Sequence, residues 1–237
     1  MDLCLNTRKG LFVILVGMRN KVAIITGGSS GIGAVIADVL KAKGWEVIAP
    51  THDELDLCDL SAVTEYAKKI TAEKSEVRAF IHAAGIWHDG ERVLADMPMG
   101  TFNAHQIIET MNVGVTSAIV LLNGLISVMK EGTFIGISGT FSDGAKGWLP
   151  YYLSKRALED LILGLSQDAI NLRAYGISPA DTATEAFKKY YPQYAVSAQS
   201  PTAVAGLAVK LLEGQDTYRN GDIIEIRQGD TSRSFHS

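Results

Sequence analysis

The chain has 237 residues, a net charge of −4, and 47% hydrophobic and 20% charged residues, which suits one globular domain with a substantial core. An acidic balance without any basic run excludes the usual composition of a nucleic-acid binder. No uninterrupted apolar run reaches the roughly 18 residues of a membrane span, and Cys4 and Cys58 lack metal-ligand spacing and are expected to stay unpaired.

In residues 1–17, Arg8-Lys9 precedes a short apolar stretch that imitates a signal peptide. Arg19 and Lys21 stand where small cleavage-site residues belong, so 1–17 reads as an upstream extension or mis-assigned start. The domain is then expected over 18–237, with a cytoplasmic location and no membrane partner. A buried strand is predicted over 21–26, closed by glycines, and a helix over 31–43. A second strand covers 45–49, a polar stretch 50–59, a helix 60–72 and a third strand 77–83. The long helical pattern 99–129 precedes a strand over 132–138, a helix over 151–170 and a strand over 173–178. A helix over 201–213 and a last strand over 222–226 complete the series. Alternating strands and helices predict an α/β fold, a doubly wound parallel sheet of Rossmann type in a single domain.

Gly27, Gly31 and Gly33 fall where the first strand turns into the first helix, spaced Gly-x-x-x-Gly-x-Gly. Residues without Cβ there permit a tight turn, a close backbone approach to a pyrophosphate and helix packing on the sheet, with free N–H groups at the helix start facing phosphate. Downstream, Tyr151 and Lys155 are four apart and share a helix face. An ammonium beside a phenol favours the phenolate, so Lys155 is expected to lower the pKa of Tyr151. Ser138, thirteen positions before Tyr151, offers a hydroxyl to orient a substrate oxygen. Tyr152, three positions from Lys155, competes for the phenol role. Taken alone, Tyr-x-x-x-Lys is common and reads as an amphipathic helix with an edge aromatic and a solvated lysine.

The run 26–33 with Asn112, Ser138, Tyr151 and Lys155 resembles the short-chain dehydrogenase/reductase family, over nearly everything after Met18. His82-Ala83-Ala84-Gly85 is similar to that family's Asn-Asn-Ala-Gly segment, with both asparagines replaced. Asp56-Leu57 resembles its adenine-contacting Asp-Val pair. Ile177-Ser178-Pro179-Ala180 with Thr184 resembles its Ile-x-Pro-Gly-x-x-x-Thr segment, with Ala180 in place of glycine. The resemblance implies a catalytic group of Asn112, Ser138, Tyr151 and Lys155, in which Asn112 holds a water that relays protons to Lys155. It implies a nicotinamide dinucleotide on Gly27, Ser29, Ser30, Gly31, Ile32, Gly33, Thr51, Asp56, Leu57, Ala84, Gly85, Pro179 and Thr184, together with Tyr151 and Lys155. It also implies a homodimer or homotetramer through the helices at 101–129 and 151–170. The small residues Gly114, Ser117 and Ala118 would serve that interface or the sheet equally well.

Two departures stand out. Between Ala49 and Leu60 there is no room for a crossover helix and another strand, so either that unit is abbreviated or the sheet edge lacks a strand. No acid stands in Pro50-Thr51-His52 to meet ribose hydroxyls and repel a 2′-phosphate, so NADP(H) is favoured over NAD(H). His52 reads as a phosphate ligand or as a solvated loop residue. Loops after Gly85, Ser138 and Pro179 carry Trp87, His88, Phe141, Trp148, Phe187, Tyr190, Tyr191 and Tyr194, which read as a lid over an apolar or ring-bearing substrate or as packing against the sheet. The expected activity is NAD(P)-dependent hydride transfer between a small-molecule ketone or aldehyde and its alcohol, with Tyr151 as general acid/base and no metal. A non-catalytic dinucleotide-binding regulator or scaffold is one alternative. A nucleotide-sugar epimerase or dehydratase is another.

Overall fold

The computed structural model describes residues 21–90, 93, 94, 97–141, 146–168, 171–215, 217–228 and 230–234, so the segment 1–17 lies outside the described residues. Strand β1 (Val22–Thr26) is buried at all five positions, as its apolar run requires. Helix α1 (Gly31–Ala42) leads to the short β2 (Glu46–Ile48), and α2 (Leu60–Glu73) starts where Asp59 caps the amides of Ser61 and Ala62. After β3 (Ala79–His82) comes α3 (Ala104–Met111), opened by an Asn103–Gln106 capping box. A π-helical turn, Asn112–Thr116, joins it to α4 (Ser117–Leu125). Then follow β4 (Thr133–Ile137), α5 (Leu149–Gln167), β5 (Arg173–Pro179), α6 (Glu185–Tyr190), α7 (Pro201–Glu213), β6 (Ile223–Arg227) and β7 (Asp230–Ser234).

The strands form one seven-stranded sheet in the order β2-β1-β3-β4-β5-β6-β7, parallel except for β7, which runs antiparallel to β6. Strand residues alternate between two cores. Val22, Ile24, Phe80 and Phe134 pack with Leu121, Leu125, Leu158 and Ile162 of α4 and α5. Ala23, Ile25, Ile81 and Ile135 pack with Ile36 and Leu40 of α1 and Val204 and Ala208 of α7. Both faces are covered, as a parallel sheet demands.

One open choice is resolved here and two expectations change. The chain passes from β2 straight into α2, and among the described residues no strand flanks the outer edge of β2, so the sheet lacks a strand there. The pattern over 99–129 becomes two helices separated by the π turn. Strand β7, of sequence Asp-Thr-Ser-Arg-Ser, has no apolar alternation to announce it.

The segment Ala104–Leu125 is long and apolar enough to pass for a membrane span, with mean hydropathy 1.3. Val115, Ala118, Leu121, Leu122 and Leu125 face the core, while Ile107, Ile108 and Ile119 are exposed. Its small residues also turn inward. A Cβ on Gly114 would lie 2.4 Å from Ser154 Oγ of α5, and Ser117 and Ala118 are fully buried. They therefore serve packing within the chain.

Gly206 is exposed within α7, and a Cβ there would meet nothing within 4 Å. Gly206→Ala is expected to raise unfolding free energy by about 0.5–1 kcal/mol, because alanine loses less backbone entropy in a helix. Denaturant melts of both proteins check this.

Candidate active site

Strand order turns at β1: β2 lies on one side of it and β3 to β6 on the other, so a crevice opens beyond the carboxyl ends of the strands. The cleft there has a volume of ≈ 1340 Å³. Gly27, Ser29, Ser30, Gly31, Ile32 and Gly33 line one end, with Pro50, His52, Asp56 and Leu57 beside them. Ala84, Gly85, Ser138, Tyr151, Lys155, Pro179 and Thr184 line the centre and the other end.

The loop after β1 has the form of an anion cradle. Gly27 adopts φ +74°, and a Cβ on Gly33 would lie 2.2 Å from the Gly27 carbonyl oxygen. Ser30 caps α1 without a side-chain hydrogen bond, which leaves the first-turn amides for a ligand. At the far end, Gln199 is buried and its Oε1 has no hydrogen-bond partner among the described residues. A pyrophosphate and a carboxamide, both parts of a nicotinamide dinucleotide, fit these two places.

Lys155 is buried, and its Nζ donates to the carbonyls of Ala84 (3.0 Å) and Ile137 (2.9 Å). Burial pushes its pKa down to about 8, against the opposing effect of Glu159 one turn on. Its Nζ lies 5.4 Å from the Tyr151 ring centroid, and a Cβ on Gly85 would come within 2.9 Å of it. Tyr151 lines the cleft and Tyr152 does not, which separates the two phenols. The sign of the Tyr151 shift is opposite to expectation. Burial raises it to about 12, since Lys155 is held by two carbonyls rather than by the phenol oxygen.

Ser138 lines the cleft, yet its hydroxyl points elsewhere. It donates to Glu159 Oε1 at 2.7 Å, and Arg156 holds the other oxygen of that buried carboxylate at 2.6 Å. The one proton of Ser138 is thereby engaged, which removes it as the donor to a substrate oxygen in this geometry. Thr140, two residues on, lines the cleft as well and donates to the Ser178 carbonyl at 3.0 Å. Asn112 is likewise displaced. The π turn begins at this residue, and its Nδ2 donates to the Cys58 carbonyl (3.2 Å) rather than entering the cleft. Thr51 also lies off the cleft, with its amide and hydroxyl both bonded to Glu54, while His52 lines it. Cys58 is a free thiol with its pKa pushed up to about 11 by burial. Cys4 lies outside the described residues.

His82, which stands where the family has an asparagine, is a structural hub, as expected of a histidine without a catalytic role. Burial pushes its pKa down to about 3, so the ring is neutral. Nε2 donates to Gly114 O (3.2 Å), which leaves Nδ1 to accept from Thr26 Oγ1 (2.7 Å). The ring thus ties β1 to the π turn. The unfolded chain takes up this proton below about pH 6.5 and the fold only below about pH 3, so stability is lost as pH falls through that window. His82→Asn, which keeps a donor and an acceptor, is expected to flatten that acid limb. Melting temperatures from pH 7 to 4 for both proteins measure it.

A sequence model of the family described as short chain dehydrogenase matches residues 50–195. The chain is 24% identical over 221 residues to the bifunctional ribulose 5-phosphate reductase/CDP-ribitol pyrophosphorylase Bcs1 of Haemophilus influenzae. That alignment covers 90% of this chain but only 44% of the relative, so the chain spans less than half of that protein. Among solved structures, 4-hydroxyisoleucine dehydrogenase complexed with NADH superposes with a TM-score of 0.74 at 20% identity, covering 87% of this chain and 96% of that one. A short chain dehydrogenase from Shigella flexneri 2a str. 301 complexed with NADP gives a TM-score of 0.70 at 21% identity, covering 81% and 91%.

Proposed function

Because the chain belongs to the short-chain dehydrogenase/reductase family, whose model spans residues 50–195, we propose that it is an NAD(P)-dependent reductase of small-molecule carbonyl compounds. The observation that carries this reading is one cleft lined by the phosphate cradle 27–33 at one end and by Tyr151 and Lys155 further along. A nicotinamide dinucleotide, when bound, supplies the hydride for the carbonyl carbon. The first-turn amides of α1 would hold its phosphates, and Gln199, which lines the cleft, would stand at its nicotinamide end. Tyr151, with its pKa raised to about 12, stays protonated at neutral pH and donates its proton to the developing alkoxide. That protonation state favours the reductive direction. Lys155 anchors the phenol's surroundings by bridging the loop after β3 and the end of β4.

For the adenosine end we propose a preference for NADP(H). His52 lines that end, no acid occupies 50–52, and the missing edge strand leaves it open. We further propose a homodimer or homotetramer through α4 and α5, because Ile119, Ile126, Leu153 and Leu163 are exposed on or beside those helices. The test is a side-by-side fluorescence titration with NADPH and NADH. Tighter NADPH binding is expected. Tighter NADH binding would overturn the preference, and binding of neither would overturn the reductase reading.

A further inference from the structure

The substrate end of the cleft is walled by rings. Trp87 after β3, Trp148 before α5 and Tyr191 after α6 all line it and are partly exposed. Their centroids lie pairwise 6.3, 6.2 and 6.3 Å apart, and their planes differ by only 35°, 23° and 30°. Trp87 and Tyr191 are stacked and the other two pairs are tilted, so three separate segments of chain build one aromatic wall. The wall begins at the proton donor, since Trp148 lies 5.9 Å from the Tyr151 ring and Phe141 flanks that ring at 6.1 Å.

Charge at this end is unsuited to an anion. Among the described residues, the lysines and arginines lining the cleft are Lys155 and Arg227. The first is held by two carbonyls, and the second stands 3.4 Å from Glu225. His88, beside Trp87, has its pKa pushed down by burial and by Lys189, whose Nζ donates to the Gly90 carbonyl, and Asp181 and Glu185 also line the cleft, Glu185 paired with Lys188 at 2.8 Å. A flat uncharged ring gains offset stacking and area burial on such a wall, whereas a phosphate or carboxylate would be desolvated without a partner.

We propose that the substrate is an uncharged carbonyl compound whose carbonyl is attached to or fused with a planar ring, the ring stacking on Trp87, Trp148 and Tyr191 while the oxygen meets Tyr151. This rests on the reductase reading above. The test compares 1-tetralone, 2-butanone and D-ribulose 5-phosphate as substrates with NADPH, and titrates 1-tetralone calorimetrically into the protein–NADP+ complex. The expected result is a kcat/KM at least tenfold higher for 1-tetralone than for 2-butanone and no turnover of the phosphorylated ketose. Trp87→Leu and, from a different segment, Tyr191→Leu should each lower the 1-tetralone to 2-butanone ratio at least tenfold and weaken calorimetric binding of 1-tetralone. Ketone turnover without ring preference, equal use of the phosphorylated ketose, or a ratio unchanged in both variants would overturn the wall's role and leave the reductase standing. Calorimetric binding of 1-tetralone that both variants weaken, without turnover of any carbonyl, would instead sink the reductase reading and keep the wall. Absence of both turnover and binding overturns both.

Discussion

Tyr151→Phe is expected to lower kcat by about 10²–10⁴-fold, the range for loss of a general acid, while NADPH still binds. The substitution removes a single hydroxyl and keeps the ring against Phe141 and Trp148, so the local packing survives. The phenol is protonated throughout the neutral range because its pKa is raised to about 12. The pH dependence of the wild type therefore falls to Lys155. Its ammonium form predominates below about pH 8 and is lost above, so the reduction rate should hold at neutral pH and fall as pH rises through about 8. Initial rates across pH 6–10, with cofactor binding measured in parallel, test both statements. A variant that keeps its rate would move the proton donor to another group.

Gly33→Val is expected to abolish cofactor binding. Its Cβ would stand 2.2 Å from the Gly27 carbonyl oxygen and 2.8 Å from the carbonyl carbon. Neither atom is the tip of a flexible side chain, so helix α1 must retreat from the loop. Loss of two amide–phosphate hydrogen bonds at about 1.5–3 kcal/mol each corresponds to at least ~100-fold weaker binding. Overpacking costs a further ~1–3 kcal/mol of stability. Circular dichroism separates this local lesion from unfolding, and Gly206→Ala, which meets no neighbour, is the matched control. Undiminished binding would show that phosphate is held elsewhere.

The fold was legible because buried parallel strands announce themselves. Val22, Ala23, Ile24 and Ile25 feed two opposed cores in alternation, and helical periods separate every pair of such strands. Strand β7 was illegible because it lies at an edge and is polar. Of the site, spacing marked the glycine loop and set Tyr151 and Lys155 on one helix face, while the choice of that pair rested on the family resemblance. Side-chain direction could not be read from spacing. Ser138 has the right position along the chain, but Glu159 of α5, twenty-one residues on and buried, accepts its hydrogen bond. Lys155 and Glu159 are four apart on one helix, and that repeat was the available sign that a second buried group shares the face. Nothing in the neighbourhood of Asn112 marks a π turn, so the direction of its amide, towards Cys58, was equally hidden.

The central claim is hydride transfer to a carbonyl carbon, and the most direct measurement follows the hydrogen itself. The purified chain is incubated with NADPH deuterated at the transferable nicotinamide position and 1-tetralone, and the alcohol formed is weighed by mass spectrometry. The account predicts an alcohol carrying one deuterium at the carbinol carbon, formed by the wild type and scarcely by Tyr151→Phe. Bound cofactor with no deuterated alcohol from this or any other carbonyl offered would contradict it, and would leave a protein that holds the dinucleotide without using it.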